Sequence, residues 1–153
     1  MKIIEYSADQ AKEIADVFHA SVHAIDPVIY SEEQKSAWAP TPIDYAAWEK
    51  RLEQTKPYVL LVNNEIAGFI ELESDGHIDC AYVLPRFQCK GVASKLLTHI
   101  MEFAKKSGLD SLYVEASIVA KPFFEKHGFF TEAVKQVNRR NTALIHYSMR
   151  LTI

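Results

Sequence analysis

Val83-Leu84-Pro85-Arg86-Phe87-Gln88-Cys89-Lys90-Gly91-Val92-Ala93-Ser94 joins an apolar run that reads as a strand to a run that reads as an amphipathic helix. The strand stops at Pro85, a short polar turn follows, and Gly91 opens the helix. The reduced pattern is Gln-x-x-Gly-x-Ala. The first N–H groups of a helix have no internal acceptors, and the helix dipole adds partial positive charge there. The junction therefore suits a pyrophosphate. Gly91 allows close backbone approach, Ala93 keeps the next turn small, and Gln88, Cys89 and Lys90 border the anion from outside. The pattern is neither the Gly-x-Gly-x-x-Gly of dinucleotide folds nor a Gly-Lys-Ser/Thr phosphate loop. Alone, it also fits an ordinary strand–turn–helix, so the rest of the chain has to decide.

The 153 residues, 48% of them hydrophobic, fit one domain spanning 1–153 with its own core. A net charge of −3 with no long run of one sign argues against nucleic acid, which needs a basic face. The longest apolar run, Tyr58 to Val62, is too short for a bilayer, and Met1-Lys2-Ile3-Ile4-Glu5 lacks a signal-peptide layout. No membrane association and a cytoplasmic location are expected. Cys80 and Cys89 make no disulfide framework.

Periodicity gives the element order β-α-α-α-β-β-β-α-β-α-β-β. Ser7-Ala8-Asp9-Gln10 and Ser31-Glu32-Glu33-Gln34 have capping-box spacing, and Thr41-Pro42 predicts a third helix start with Thr41 as N-cap. Three strands follow as a meander: Tyr58 to Val62, Ile66 to Glu73 and His77 to Leu84. The helix after Gly91 is expected to bury Val92, Leu96, Leu97, Ile100 and Phe103. A closing hairpin turns at Asn138 to Asn141.

A second motif, Ser117-Ile118-Val119-Ala120-Lys121-Pro122-Phe123-Phe124-Glu125-Lys126-His127-Gly128-Phe129, stands one helix and one strand after the first. Together the two resemble the acetyl-CoA loop and the Asn-x-x-Ala-x-x-Phe-Tyr-Glu-Lys-x-Gly-Phe segment of the GCN5-related N-acetyltransferases. Tyr30 to Ala39 and Glu115 to Ile118 resemble the bacterial YafP-like subgroup. The resemblance implies a mixed α/β fold: a central, mostly antiparallel twisted sheet with flanking helices. It also implies acetyl-CoA as cosubstrate and, by analogy, a homodimer. Two positions depart from the family pattern: Ser117 replaces the asparagine, and Phe124 replaces the tyrosine often cast as general acid. Phe124 has no proton to give and is expected only to pack beside the thioester.

The resemblance implies direct acetyl transfer to a primary amine, which must lose a proton before it attacks. In such folds the strand before the anion loop splays from its neighbour and offers backbone donors to the oxyanion, here at Ala81, Tyr82 and Val83. Val92, Ala93 and Ser94 serve the pyrophosphate, and Ser117 the cofactor arm. Strand alternation places His77, Asp79, Ala81 and Val83 on one face and Ile78, Cys80 and Tyr82 on the other. Asp79 is the first choice for contact with the amine or its water, then His77, then Glu71 on the neighbouring strand. Each also has a plain structural reading as a solvated or hydrogen-bonded strand residue. Tyr30, Trp38, Tyr45 and Trp48 form an aromatic group, of which Tyr30 and Trp38 are candidates for the acceptor wall. His19 and His23, at i and i+4, lack a third ligand, so no metal site is expected. Arg139 and Arg140 read as solvated, and Tyr147 as a weak substitute acid. The acceptor favoured is a small-molecule amine. The rivals are a protein lysine or N-terminal acetyltransferase, with an open groove between the helical insert and the last hairpin, and a non-catalytic acyl-CoA-binding module.

Overall fold

A computed structural model describes residues 1–153. The elements run β1 (Lys2–Glu5), α1 (Ala11–His23), α2 (Glu32–Trp38), α3 (Tyr45–Thr55), β2 (Tyr58–Val62), β3 (Glu65–Leu72), β4 (His77–Val83), α4 (Val92–Lys106), β5 (Ser111–Ala116), α5 (Lys121–Lys126), β6 (Phe130–Arg139) and β7 (Thr142–Thr152). The seven strands form one sheet in the order β1-β2-β3-β4-β5-β7-β6. Every neighbouring pair is antiparallel except β4 and β5. The element order read from periodicity and the mixed, mostly antiparallel sheet are both found.

The helices cover both faces because alternate strand residues are apolar on each. Ile14 and Val17 of α1 and Leu52 of α3 pack on Val59, Ile66 and Phe69. On the opposite face, Leu96, Leu97, Ile100 and Ala104 of α4 pack on Leu60, Ile70 and Leu112. Ser31 caps α2 as expected, its Oγ accepting from Gln34 N at 3.1 Å while Gln34 Oε1 accepts from Ser31 N at 2.9 Å. No helix is long and apolar enough to cross a membrane.

Four local expectations are corrected. Gln10 Oε1 does accept from Ser7 N, at 3.0 Å, but Ser7 Oγ turns to Asp9, so the box opens a short 3-10 turn and α1 begins only at Ala11. Thr41 is not the cap of α3. Asp44 is, accepting from Ala47 N at 3.0 Å, while Thr41 Oγ1 is taken by His19 at 2.8 Å. Phe103 lies at the fringe of the α4 apolar stripe and stays 47% exposed against Tyr58, and Ala104 takes the core position. Finally, strand alternation fails in β4. Ile70 pairs with Ala81 but Leu72 pairs with Ile78, so two steps on β3 oppose three on β4. This bulge around Asp79 and Cys80 moves Ile78 to the face of α4 and leaves Asp79, Cys80 and Tyr82 toward α1 and α3.

Gly68 of β3 has no room for a side chain: an added Cβ would stand 2.8 Å from Tyr82 O and 3.1 Å from a Val92 methyl. Gly68→Ala should therefore cost about 1–3 kcal/mol through overpacking, lowering Tm by roughly 3–10 °C in a thermal scan. An unchanged Tm would show that the strands can part there.

Candidate active site

β4 and β5 pair in parallel only at His77–Tyr113 and Ile78–Val114. From Asp79 onward they diverge, and a wedge opens between them. Leu84 N donates to Ala67 O of β3 at 2.7 Å, so alternation turns the N–H and C=O of Val83, and likewise Ala81, toward the wedge. The Val83 carbonyl accepts there from Gln88 Nε2 at 3.1 Å and from Ser21 Oγ at 2.8 Å. Gln88 thus ties the loop back to the strand. The wedge leads to the N-terminus of α4, where Gly91 adopts φ 83° and no side chain caps the helix. A Cβ on Gly91 would meet nothing within 4 Å, so the glycine serves its backbone angle and leaves open space beside the free N–H groups of Val92, Ala93 and Ser94. Cys89, also at positive φ (60°), is exposed, as is Lys90. An uncapped helix start, open space and an unpaired strand edge in line fit an elongated anionic thioester cofactor.

A cavity of about 250 Å³ sits at the wedge mouth. β4 and β5 contribute His77, Asp79, Tyr82 and Glu115, Ser117 follows β5, and Tyr30 and Trp38 form the aromatic wall. Tyr30 and Trp38 meet edge to face at 5.6 Å, and Trp38 Nε1 donates to the Tyr82 hydroxyl at 3.2 Å. The last hairpin closes the other side with Leu144, Ile145 and His146. Tyr82 points its side chain to this wall, and its N–H and C=O face Phe69 of β3, so the expectation that it offers a backbone donor to the wedge is corrected. Ser117 Oγ accepts from Ala120 N at 3.1 Å and shapes the start of α5.

The ionisable groups divide by what already holds them. His77 is gripped at both nitrogens, by Glu73 at 2.5 Å and by Glu115, and stacks on Tyr113. Burial lowers its pKa, but the two carboxylates outweigh that and the net shift is upward. It is therefore a clamped imidazolium with no free lone pair. Glu71, 1% exposed, holds Arg51 at 2.7 Å and lines no part of this cavity. Arg51 also reaches Asp79 at 2.9 Å and Cys80 Sγ at 2.8 Å. Burial raises the Asp79 pKa, Arg51 opposes it and Glu71 adds to it, leaving it above the usual carboxylate value. Glu73, His77 and Asp79 bring one ligand atom each within 4.8 Å of one another.

One further residue, without a clear signal in the sequence, lines the cavity. His146 lines the cavity with neither ring nitrogen in a hydrogen bond. Burial lowers its pKa, Glu115 opposes, and Lys135 and Arg139 add to the lowering, so the surroundings favour the neutral ring. The register pairing Glu115 with Ser148 and Ala116 with Tyr147 carries His146 beside Ser117. Arg139 and Arg140 are exposed, as expected, yet Arg139 also lines the rim of this cavity and Arg140 Nη1 donates to Ala37 O at 2.7 Å. Other candidates lie elsewhere. Tyr45 binds Asp16 at 2.6 Å outside the aromatic wall, and Trp48 packs on Phe18. His19 and His23 stack at 4.1 Å and bind Thr41 and Ala39 O. Phe124 is 2% exposed in the core against Phe129, and Tyr147 carries Lys121 over its ring.

The acetyltransferase (GNAT) domain model matches residues 28–152. The chain is 32% identical over 150 residues to a protein of Escherichia coli K12 named uncharacterized N-acetyltransferase YafP, covering 98% of this chain and 95% of that one. It is similar to the crystal structure of a GCN5-related N-acetyltransferase from Rhodopseudomonas palustris, with TM-score 0.94, 28% identity and coverage of 99% and 95%. The PaiA N-acetyltransferase of Thermoplasma acidophilum, solved with coenzyme A, shares the fold with TM-score 0.77, 18% identity and coverage of 99% and 98%.

The His77 clamp has a pH signature. Its pKa is raised in the fold, so its contribution to stability is full below about 6.5, the unfolded value, and is lost as pH rises through the native one. Urea unfolding between about pH 5.5 and 9 should show wild type losing its advantage over His77→Gln across that window. Parallel pH profiles for the two proteins would refute the clamp.

Proposed function

This chain belongs to the GNAT acetyltransferase family, and we propose that the primary amine it acetylates is a small molecule rather than a protein side chain. Acetyl-CoA is the donor. The observation that carries the reading is the bridge between the helical insert and the last hairpin. Arg140 donates to Ala37 O at 2.7 Å, and Gln34 Nε2 to Ala143 O at 3.4 Å. A polypeptide acceptor needs that gap open as a groove, whereas here it is spanned, over a cavity of about 250 Å³. One domain, residues 1–153, carries the reaction. A cytoplasmic homodimer agrees with the family analogy, with exposed Phe130 and Val134 on the edge strand β6 available to such an interface.

Bound acetyl-CoA supplies an activated acetyl thioester. The N–H groups of Val92, Ala93 and Ser94, with Lys90 beside them, hold the pyrophosphate at the start of α4. The wedge edge at Ala81 and Val83 donates to the carbonyl oxygen as it gains charge. Asp79 and Glu115 draw the ammonium form of the acceptor into the cavity. His146, neutral and unengaged, takes the proton that must leave before the nitrogen attacks. Of the two protons the nitrogen loses overall, one goes to solvent and one ends on the sulfur. The protonated His146 can return the latter, since Phe124 cannot. This assigns the proton to His146 and leaves Asp79 as electrostatic anchor, with His77 and Glu71 shaping the charge around it. A non-catalytic acyl-CoA binder would have no need of an unpaired neutral imidazole beside Ser117.

With a panel of small amines and lysine peptides, and thiol release as the readout, turnover should favour the small amines. Peptide-only turnover would reverse the reading. His146→Gln should lower kcat/KM about 10²–10⁴-fold and remove the fall in rate at acid pH, with coenzyme A binding retained in calorimetry. An unaltered pH profile would exclude His146. Gly91→Ala forces a left-handed angle on a side chain, at about 1–2 kcal/mol, and should weaken coenzyme A binding by roughly tenfold. Unchanged affinity would remove that turn from the pyrophosphate site.

A further inference from the structure

A second cavity, of about 570 Å³, lies beside the first, between β4, α3 and the segment that follows α2. Trp38, Asp79, Tyr82 and Arg139 line both, so the two are continuous at those four residues. The second cavity differs from the first in charge. Of its carboxylates, Asp79 gives one oxygen to Arg51 at 2.9 Å and keeps the other toward the first cavity, and Asp44 caps the N-terminus of α3. Arg51 is matched by Glu71 and Asp79. The guanidinium of Arg139, an exposed residue, makes no ion pair or hydrogen bond, and that of Arg140, also exposed, binds only a neutral carbonyl, Ala37 O. Two guanidinium groups thus stand without an anion on a pocket whose remaining wall includes Phe18, Trp38, Trp48 and Tyr82.

We propose that this second cavity takes the carboxylate and apolar side chain of the acceptor, so that the acceptor is an α-amino acid with an aromatic or apolar side chain. The proposal rests on the small-molecule reading above and deepens it. A guanidinium matches a carboxylate through two parallel N–H donors, which an ammonium does not offer. Asp79 and Arg139 line both cavities, so a small acceptor at their junction faces both groups. An amine and a carboxylate on one carbon meet both groups at once, the amine turned to His146 and Glu115, the carboxylate to Arg139 and Arg140. The aromatic walls then receive the side chain. A plain alkylamine would leave Arg139 unmatched, and a diamine would bring a second cation to it.

The test compares matched acceptors on the full chain with saturating acetyl-CoA: phenylalanine, phenylalaninamide, phenethylamine and a lysine peptide. The amide and the amine lack the carboxylate and keep the ring. Phenylalanine should exceed both by roughly 10–100-fold in kcat/KM, in keeping with loss of a charge-assisted pair. Arg139→Gln should bring that ratio close to one, with Arg139→Lys in between, and the loss should appear in KM more than in kcat. Equal rates for phenylalanine and phenethylamine in wild type would overturn the carboxylate site while leaving the small-molecule reading intact. Turnover of the lysine peptide alone would overturn that reading itself. If none of the four turns over, calorimetry of phenylalanine and phenethylamine on the coenzyme A complex decides. Selective binding of phenylalanine that Arg139→Gln abolishes supports the site, and absence of that selectivity refutes it.

Discussion

The parting of β4 from β5 after two parallel pairs is the constraint on which the rest of the molecule depends. A sheet opened in its middle exposes backbone donors and acceptors that a continuous ladder would consume, and unpaired groups of that kind persist only where something else holds the strands in place. Here the holding is done from both faces. α4 and α5 pack under the wedge with Leu96, Leu97 and Phe124, while α1 and α3 pack above it with Ile14, Val17 and Leu52. Gln88 and Ser21 then pin the Val83 carbonyl. The same divergence aims the strand end at the start of α4, so one backbone event produces both the wedge and its alignment with the anion-binding turn.

Around that opening the charges are sorted by burial. Glu71 and Arg51 form the most enclosed pair, and their main effect is to hold Asp79 at the bulge. His77 spends Nδ1 on Glu73 and Nε2 on Glu115, and the second bond joins β4 to β5 just where the ladder ends. A pair of that kind is worth more as a positioning device than as stability, because desolvation offsets much of its attraction. What remains unpaired, His146 and Arg139, lies on the last hairpin, the element farthest in sequence from the residues it faces.

That distance explains what the sequence could and could not tell. Local signals were legible: Gly91 after a strand, the Ser31 capping box, the apolar stripe of α4, and the hairpin turn within Asn138 to Asn141. The second motif and its spacing gave the family, and hence a fold that includes the wedge. Asp79 was found as an acid in an apolar strand, but its face was not, because alternation assumes a regular ladder and one extra residue carries no mark in the sequence. Phe103 misled because periodicity locates a stripe better than its edge. His146 and Arg139 sit in a strand pattern that looks like any exposed hairpin, and their relevance arises only from the β5–β7 register. A histidine flanked by apolar residues on a strand that must neighbour Ser117 was the one available hint.

Both bridges that close the insert over the cavity end on main-chain carbonyls, Ala37 O and Ala143 O. A carbonyl is supplied by every residue type, so on the accepting side the closure is blind to side-chain identity. Residues of α2 and the hairpin that face the acceptor can therefore be exchanged without loosening the lid, provided Arg140 and Gln34 stay. Architecture and selectivity are thereby uncoupled. The scaffold can drift from one acceptor to another through substitutions at positions such as Ile145, which is half exposed and takes no part in either bridge.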